Sequence, residues 1–148
     1  MKGTIMETTD EKKKVIKLPE YPHYVAATQN GWGVEMDGTE AVDGSNIDHA
    51  GIIGLPMINF TIEGKGIKKA RVKNKRGRWS EYSDKFDKSK GLGNGTDIIG
   101  IEIVGAGFIV SVHVKGGSWL PTVKTSDIEG KVTIGIGTTI DAIWVDKI

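Results

Sequence analysis

Four tryptophans are the residues best suited to surface chemistry in this chain. Trp32, Trp79 and Trp119 each stand beside a glycine-containing turn, and Trp144 lies near the end. An indole face stacks on the CH face of a sugar ring and sheds water as it does so, which suits glycan recognition. The three turn tryptophans equally suit a packing role, as large wedges at matching points of a repeated fold. Trp144 differs. With Ile143 and Val145 directed inward, strand alternation turns Trp144 outward. Thr61 and Glu102 hold the matching positions earlier in the chain. An apolar residue on a face where its siblings are polar marks a contact surface, for a glycan or for a second protomer.

Arg71 and His113 occupy comparable strand positions and form a second candidate group. Each stands one residue before a valine near the end of a strand that leads into a tryptophan turn. Pointing outward, they would flank that turn with donors suited to phosphate, carboxylate or sugar hydroxyls; the alternative is a solvated strand face. The stretch 65–90 carries eleven basic and three acidic side chains, with Trp79 and Tyr82 among them. Interleaved cations and aromatics fit an anionic polymer, nucleic acid included, or a soluble charged face. The preceding stretch, 20–63, has seven acidic side chains and no Lys or Arg. A net charge of +1 therefore conceals a dipole able to steer repeat against repeat, chain against chain, or the basic part onto a polyanion.

Hydrolytic chemistry finds little support. The histidines are His23, His49 and His113, and only Asp48-His49 offers half a metal site. A hydrolytic zinc needs two or three close ligands and a carboxylate to activate water. No Gly-x-Ser-x-Gly elbow exists, and the glycines at 91–95 and 135–137 lack the Lys-Ser/Thr of a phosphate loop. Cysteine is absent, which excludes disulfides and thiolate chemistry. The expectation is a binding protein without catalytic residues, metal or cofactor. No apolar run approaches the ~20 residues that span a bilayer, so no membrane partner is expected. The polar first twenty residues show no signal peptide.

The elements that position these groups come in triplicate. Gly54-x-x-Met57-x-x-Phe60-x-Ile62 recurs as Gly95-x-x-Ile98-x-x-Ile101-x-Ile103, then as Gly137-x-x-Ile140-x-x-Ile143-x-Val145. The glycines lie 41 and 42 residues apart. A period of this length means one supersecondary unit copied in tandem around a shared core. Residues 1–20 read as a leader or linker. Residues 21–148 read as one domain of three repeats, about 21–64, 65–105 and 106–148. Predicted strands cover 24–27, 32–36 and 57–62 in the first repeat, 67–73 and 98–104 in the second, and 108–115 and 140–145 in the third. Val15, Ile16 and Leu18 are predicted to form a further short strand. Asp37-Gly38 and Asp43-Gly44 are turn signals. Ile/Val richness and glycine borders favour strands over helices. The fold class is all-β with pseudo-threefold repeats, prism-like because each unit shows about three strands; the alternative is a β-trefoil.

The third repeat carries a family resemblance. Val112-His113-Val114-Lys115-Gly116-Gly117-Ser118-Trp119-Leu120-Pro121-x-Val123, with Gly135-x-Gly137-x-x-Ile140-Asp141-Ala142-Ile143-x-Val145, resembles the C-terminal wall-binding domains of clostridial phage endolysins and N-acetylmuramoyl-L-alanine amidases. It also resembles clostridial hydrophobic tryptophan repeats. The first repeat matches through Ala50-Gly51-x-x-Gly54-x-Pro56 and the second through Arg71-Val72-Lys73. The resemblance implies non-catalytic binding of Gram-positive cell-wall polymer, peptidoglycan or an anionic polymer, on behalf of a separate or tethered hydrolase domain. It implies a site at the bacterial cell wall, outside the cell after release. Homo-oligomers are compatible with it. The alternatives are a trefoil-like lectin or inhibitor of a soluble partner, and a nucleic-acid module acting through the basic second repeat.

Overall fold

The structure is a computed structural model that describes residues 18–39, 48–125 and 130–148. The charged run at 11–14, Val15, Ile16 and the Asp43-Gly44 turn lie outside the described residues. Leu18 is described; it belongs to no strand and is exposed.

The described chain is all-β. In order, the strands are β1 (His23–Thr28), β2 (Gly31–Trp32), β3 (Met36–Asp37), β4 (Ala50–Gly51), β5 (Asn59–Glu63), β6 (Ile67–Asn74), β7 (Ile98–Gly105), β8 (Phe108–Val114), β9 (Val123–Lys124), β10 (Gly130–Ile134) and β11 (Ile140–Lys147). Each repeat contributes one long antiparallel pair: β1 with β5, β6 with β7, and β8 with β11. Alternation explains the pairs. In β6, Ala70 and Val72 are buried while Lys69, Arg71 and Lys73 face the other way. In β8 every residue is buried, because both faces of that strand are covered. Among the described residues no helix is long and apolar enough to cross a membrane.

Residues 32–36 do not form the single predicted strand. β2 and β3 each pair with β1, at Ala27↔Trp32 and Tyr24↔Met36, and residues 33–35 bow out between them. The bow carries Glu35 back towards His23, so side-chain pairing replaces the ladder there. β10 was not among the predicted strands; its alternation of Val132 and Ile134 is too short to stand out.

The repeats close on one another by exchange. β4 of the first repeat pairs with β11 of the third. β10 of the third pairs with β7 of the second. The long loop of the second repeat lies along β5 of the first: Leu92 N–H donates to the Phe60 carbonyl (3.0 Å), and Gly93 N–H to Asn59 Oδ1 (2.7 Å). Two of the three sheets thus take a strand from another repeat and the first takes a loop, a mutual dependence that fits a unit copied in triplicate. Near the centre, Met57 N–H donates to the Ile140 carbonyl and Ile98 N–H to the Met57 carbonyl, both at 2.9 Å. Met57, Ile98 and Ile140 are the matching residues of the sequence motif, and all three are buried. The core behind them draws Phe60, Ile101, Phe108 and Ile143 from all three repeats; each such side chain contributes roughly 1.5–3 kcal/mol on burial. Tyr24 ties first repeat to third, its hydroxyl accepting from Val145 N–H at 3.1 Å.

Two glycines per repeat serve this exchange. A Cβ on Gly51, Gly93 or Gly135 would lie 2.2, 2.3 or 2.5 Å from the carbonyl oxygen of Asp141, Ile58 or Ile99. Those three carbonyls are equivalent, each on the residue after the central Met57, Ile98 or Ile140. The motif glycines Gly54, Gly95 and Gly137 have open space but φ of +101°, +90° and +84°, the left-handed region that a side chain disfavours.

Candidate functional site

The three turn tryptophans occupy one structural position. In the second repeat, Asn74 N–H donates to the Arg78 carbonyl and Ser80 N–H to the Val72 carbonyl. In the third, Val114 N–H donates to the Ser118 carbonyl and Leu120 N–H to the Val112 carbonyl. Trp79 thereby pairs with Lys73 and Trp119 with His113, as Trp32 pairs with Ala27. All three indoles are half-buried.

This register corrects one expectation. His113 corresponds to Lys73 and Ala27, whereas Arg71 corresponds to Ser111. Aligning on the following valine slipped the comparison by two residues, which preserves the strand face and so leaves no mark in the alternation. The hydrogen bonds of the turn set the true count.

Two of the tryptophans wall clefts. The Trp32 cleft has a volume of about 400 Å³ and runs between its turn and residues 49–52 of the same repeat. The Trp79 cleft, about 250 Å³, runs between its turn and residues 92–96. Both therefore sit between a tryptophan turn and the same repeat's own exchanged segment. Their rims differ. Val34 and Ile52 stand exposed at the first, whereas Asn74, Arg78, Asn94 and Thr96 border the second.

The outer sheet faces gather the remaining candidates. On β6 and β7 the Arg71 guanidinium lies 4.7 Å from the Trp79 ring and 4.5 Å from Tyr82, with Lys69 at 4.2 Å from Tyr82 and Lys73 at 5.7 Å from Trp79. Arg71 Nε donates to Glu102 Oε1, which also accepts from the Tyr82 hydroxyl at 3.0 Å. Burial pushes the Glu102 carboxyl up, but the hydrogen bonds from Arg71 and Tyr82 outweigh it and hold the pKa below the ordinary value. Contacts of this kind between cation and ring contribute about 0.5–2 kcal/mol each.

On β8 and β11, His113 Nδ1 pairs with Asp141 Oδ1 at 2.7 Å, and the His113 ring meets Trp119 edge-on at 5.4 Å. His49, from the segment exchanged into this sheet, meets the same indole at 5.7 Å. Asp141 is fully buried at a bulge in β11 and accepts from Gly54 N–H at 2.8 Å, so it joins the third repeat to the first. Trp144 shares this face, paired with Ser111, and is half-buried. Its siblings Thr61 and Glu102 are not the solvated outward residues that alternation implied. They are 1% and 2% exposed, covered by the loop at 85–87 and by the Arg71–Tyr82 stack.

The candidate residues thus divide among three surfaces: Trp32 on the first; Arg71 and Trp79 on the second; His113, Trp119 and Trp144 on the third. Glu102 and Asp141 are the participants that sequence reasoning did not single out as binding groups, whereas it placed Tyr82 with Trp79 in the basic stretch. Asp141 had only its place inside a motif. A fourth cluster was also not anticipated: His23 pairs with Asp37 at 2.6 Å and Glu35 at 2.8 Å, with its ring against Phe86 at 4.7 Å.

Among the described residues, no group of three or more His, Cys, Asp or Glu side chains is placed to hold a metal ion. No protein-family model matches the chain, and neither curated proteins nor solved structures yield a match. What the arrangement offers chemically is recognition: aromatic walls, amide and hydroxyl donors, and charge held in place by buried partners.

Proposed function

We propose that this protein is a non-catalytic domain that binds Gram-positive cell-wall polymer and targets a peptidoglycan hydrolase, tethered or separate, to the wall. The supporting observation is the equivalence of the three tryptophan turns, each half-buried, two of them walling a cleft. Linked sites of modest affinity gain by acting together, which suits a polymer with repeating units. One antiparallel sheet for each repeat also supports a prism-like arrangement over a trefoil. The basic second repeat gives less support to nucleic-acid stacking, since Tyr82, the ring beside Trp79, is already engaged by Lys69 and Arg71.

Sedimentation with purified walls, before and after acid extraction of anionic polymer, tests this reading. Binding to walls is expected, with about tenfold weaker retention when Trp32 or Trp79 is changed to Ala; an aromatic anchor contributes about 1.4 kcal/mol or more. Absence of sedimentation with any Gram-positive wall refutes it.

A further inference from the structure

The clefts have one frame but differ in charge: Arg78 lines the Trp79 cleft, whereas no Lys, Arg, Asp or Glu lines the Trp32 cleft, and the difference is concentrated at a single turn. Lys75, Arg76 and Arg78 surround Gly77 at the tip of the second hairpin, and all are exposed. Among the described residues none of the three is in an ion pair. Neighbouring cations are committed: Lys69, Arg71 and Lys73 to aromatic rings, Lys88 to Glu35, Lys131 to Glu102. Positive charge without a partner is thus left on the hairpin tip that follows Asn74, and both Asn74 and Arg78 form part of the wall of the Trp79 cleft. The cleft adds Asn94 and Thr96 as hydroxyl- and amide-bearing groups over an apolar floor of Val72 and Ile98. At about 250 Å³ it is smaller than the ~300–1,000 Å³ pockets of drug-sized ligands, a size suited to one ring and its substituent. The Trp32 cleft lies in a stretch with no Lys or Arg.

We infer that the Trp79 cleft is an anion-selective subsite that takes a single sugar unit bearing a phosphate, with the ring against Trp79 and the phosphate on Arg78 and its neighbours Lys75 and Arg76. The Trp32 cleft takes no part in that selectivity. Arg suits this role because its planar fork meets two phosphate oxygens at once. The inference deepens the wall-binding reading and rests on it for the source of the ligand, a phosphate-containing glycopolymer.

The test uses the full chain labelled with nitrogen-15, its four indole N–H signals assigned by single Trp→Phe variants. N-acetylglucosamine 1-phosphate, N-acetylglucosamine, inorganic phosphate and a short single-stranded oligonucleotide are titrated separately. The expected result is a shift of the Trp79 signal with the sugar phosphate, at least tenfold weaker with the neutral sugar or with inorganic phosphate, and no shift at Trp32. Arg78→Gln should weaken binding about tenfold while leaving the remaining spectrum in place, the effect of one charge-assisted contact. Equal binding of the neutral sugar, an unchanged affinity in Arg78→Gln, or a silent Trp79 signal overturns the inference. Equal binding of inorganic phosphate reduces the site to an adventitious ion only, and tighter binding of the oligonucleotide replaces it with a nucleic-acid site. Wall sedimentation separates the two levels. Retention of wild type with a silent Trp79 signal removes the subsite alone. Failure of wild type to sediment removes the wall reading, whatever the titrations show.

Discussion

Replacing Glu102 by Ala is expected to be among the more destructive single changes to a polar residue of this protein. Its carboxylate is 2% exposed, takes a hydrogen bond from Arg71 and another from Tyr82, and has Lys131 at 3.6 Å. Removing one member of a buried ion pair costs ~3–5 kcal/mol, because the other charge is left behind. Arg71 keeps 26% of its side chain in water, which offsets part of that loss. Lys131 is 60% exposed and adds little. The expected destabilisation is therefore about 2–3 kcal/mol. With a urea slope of roughly 1–3 kcal/mol/M, the midpoint should fall by about 1–2 M with the slope unchanged. The effect has a pH signature. Because the folded pKa is depressed, the carboxylate's contribution is fully present above the ordinary value of 4.5 and disappears as pH falls through the folded value. The gap between wild type and variant should accordingly narrow in acid. A change below about 0.5 kcal/mol would fall within the range of surface substitutions and refute the reasoning. So would a gap that stays constant with pH, or additivity with Arg71→Met in a double-mutant cycle.

Two further outcomes probe the exchange between repeats and the fourth cluster. Gly51→Ala would place a Cβ 2.2 Å from the Asp141 carbonyl oxygen at a φ of +96°, whereas Gly116→Ala meets open space at +78°. Left-handed strain of ~1–2 kcal/mol is common to both, so thermal unfolding should show Gly51→Ala the more destabilised by at least about 1 kcal/mol; equal losses would argue against the close approach of β4 and β11. At His23, burial pushes the imidazole down, but hydrogen bonds to Asp37 and Glu35 outweigh it and the pKa stands above 6.5. Its stabilisation is thus complete below 6.5 and lost as pH rises through the folded value. His23→Gln should flatten that part of the pH–stability curve, and a proton-NMR titration placing His23 below 6.5 would contradict the pairing.

Much of this fold is legible in the residues, and the reason is local. The triplicated Gly-x-x-Φ-x-x-Φ-x-Φ motif places Phe60, Ile101 and Ile143 inward because strand alternation needs only neighbouring residues to be read. The tryptophan turns are legible for the same reason: glycine and polar residues bracket each indole. The partnerships escaped that reading. Glu102 and Thr61 lie on an outward face, and alternation cannot tell an outward face open to water from one covered by a segment about twenty residues away along the chain. Arg71 and His113 were matched by their following valines, although the hydrogen bonds of each turn place His113 opposite Lys73.

The sequence by itself determined that the chain is built of three like β units, where each one turns, and that the second is basic while the first is acidic. Those properties follow from residue type and spacing alone. Tertiary structure decided which repeat completes which sheet, that Arg71 is bound to Glu102 while Arg78 is left without an ionic partner, and that Asp141 holds the first repeat against the third. Such pairings join residues far apart in the chain, Gly54 and Asp141 by 87 positions and Tyr24 and Val145 by 121. They arise from the closure of the three units on one another, a long-range condition that no local pattern encodes.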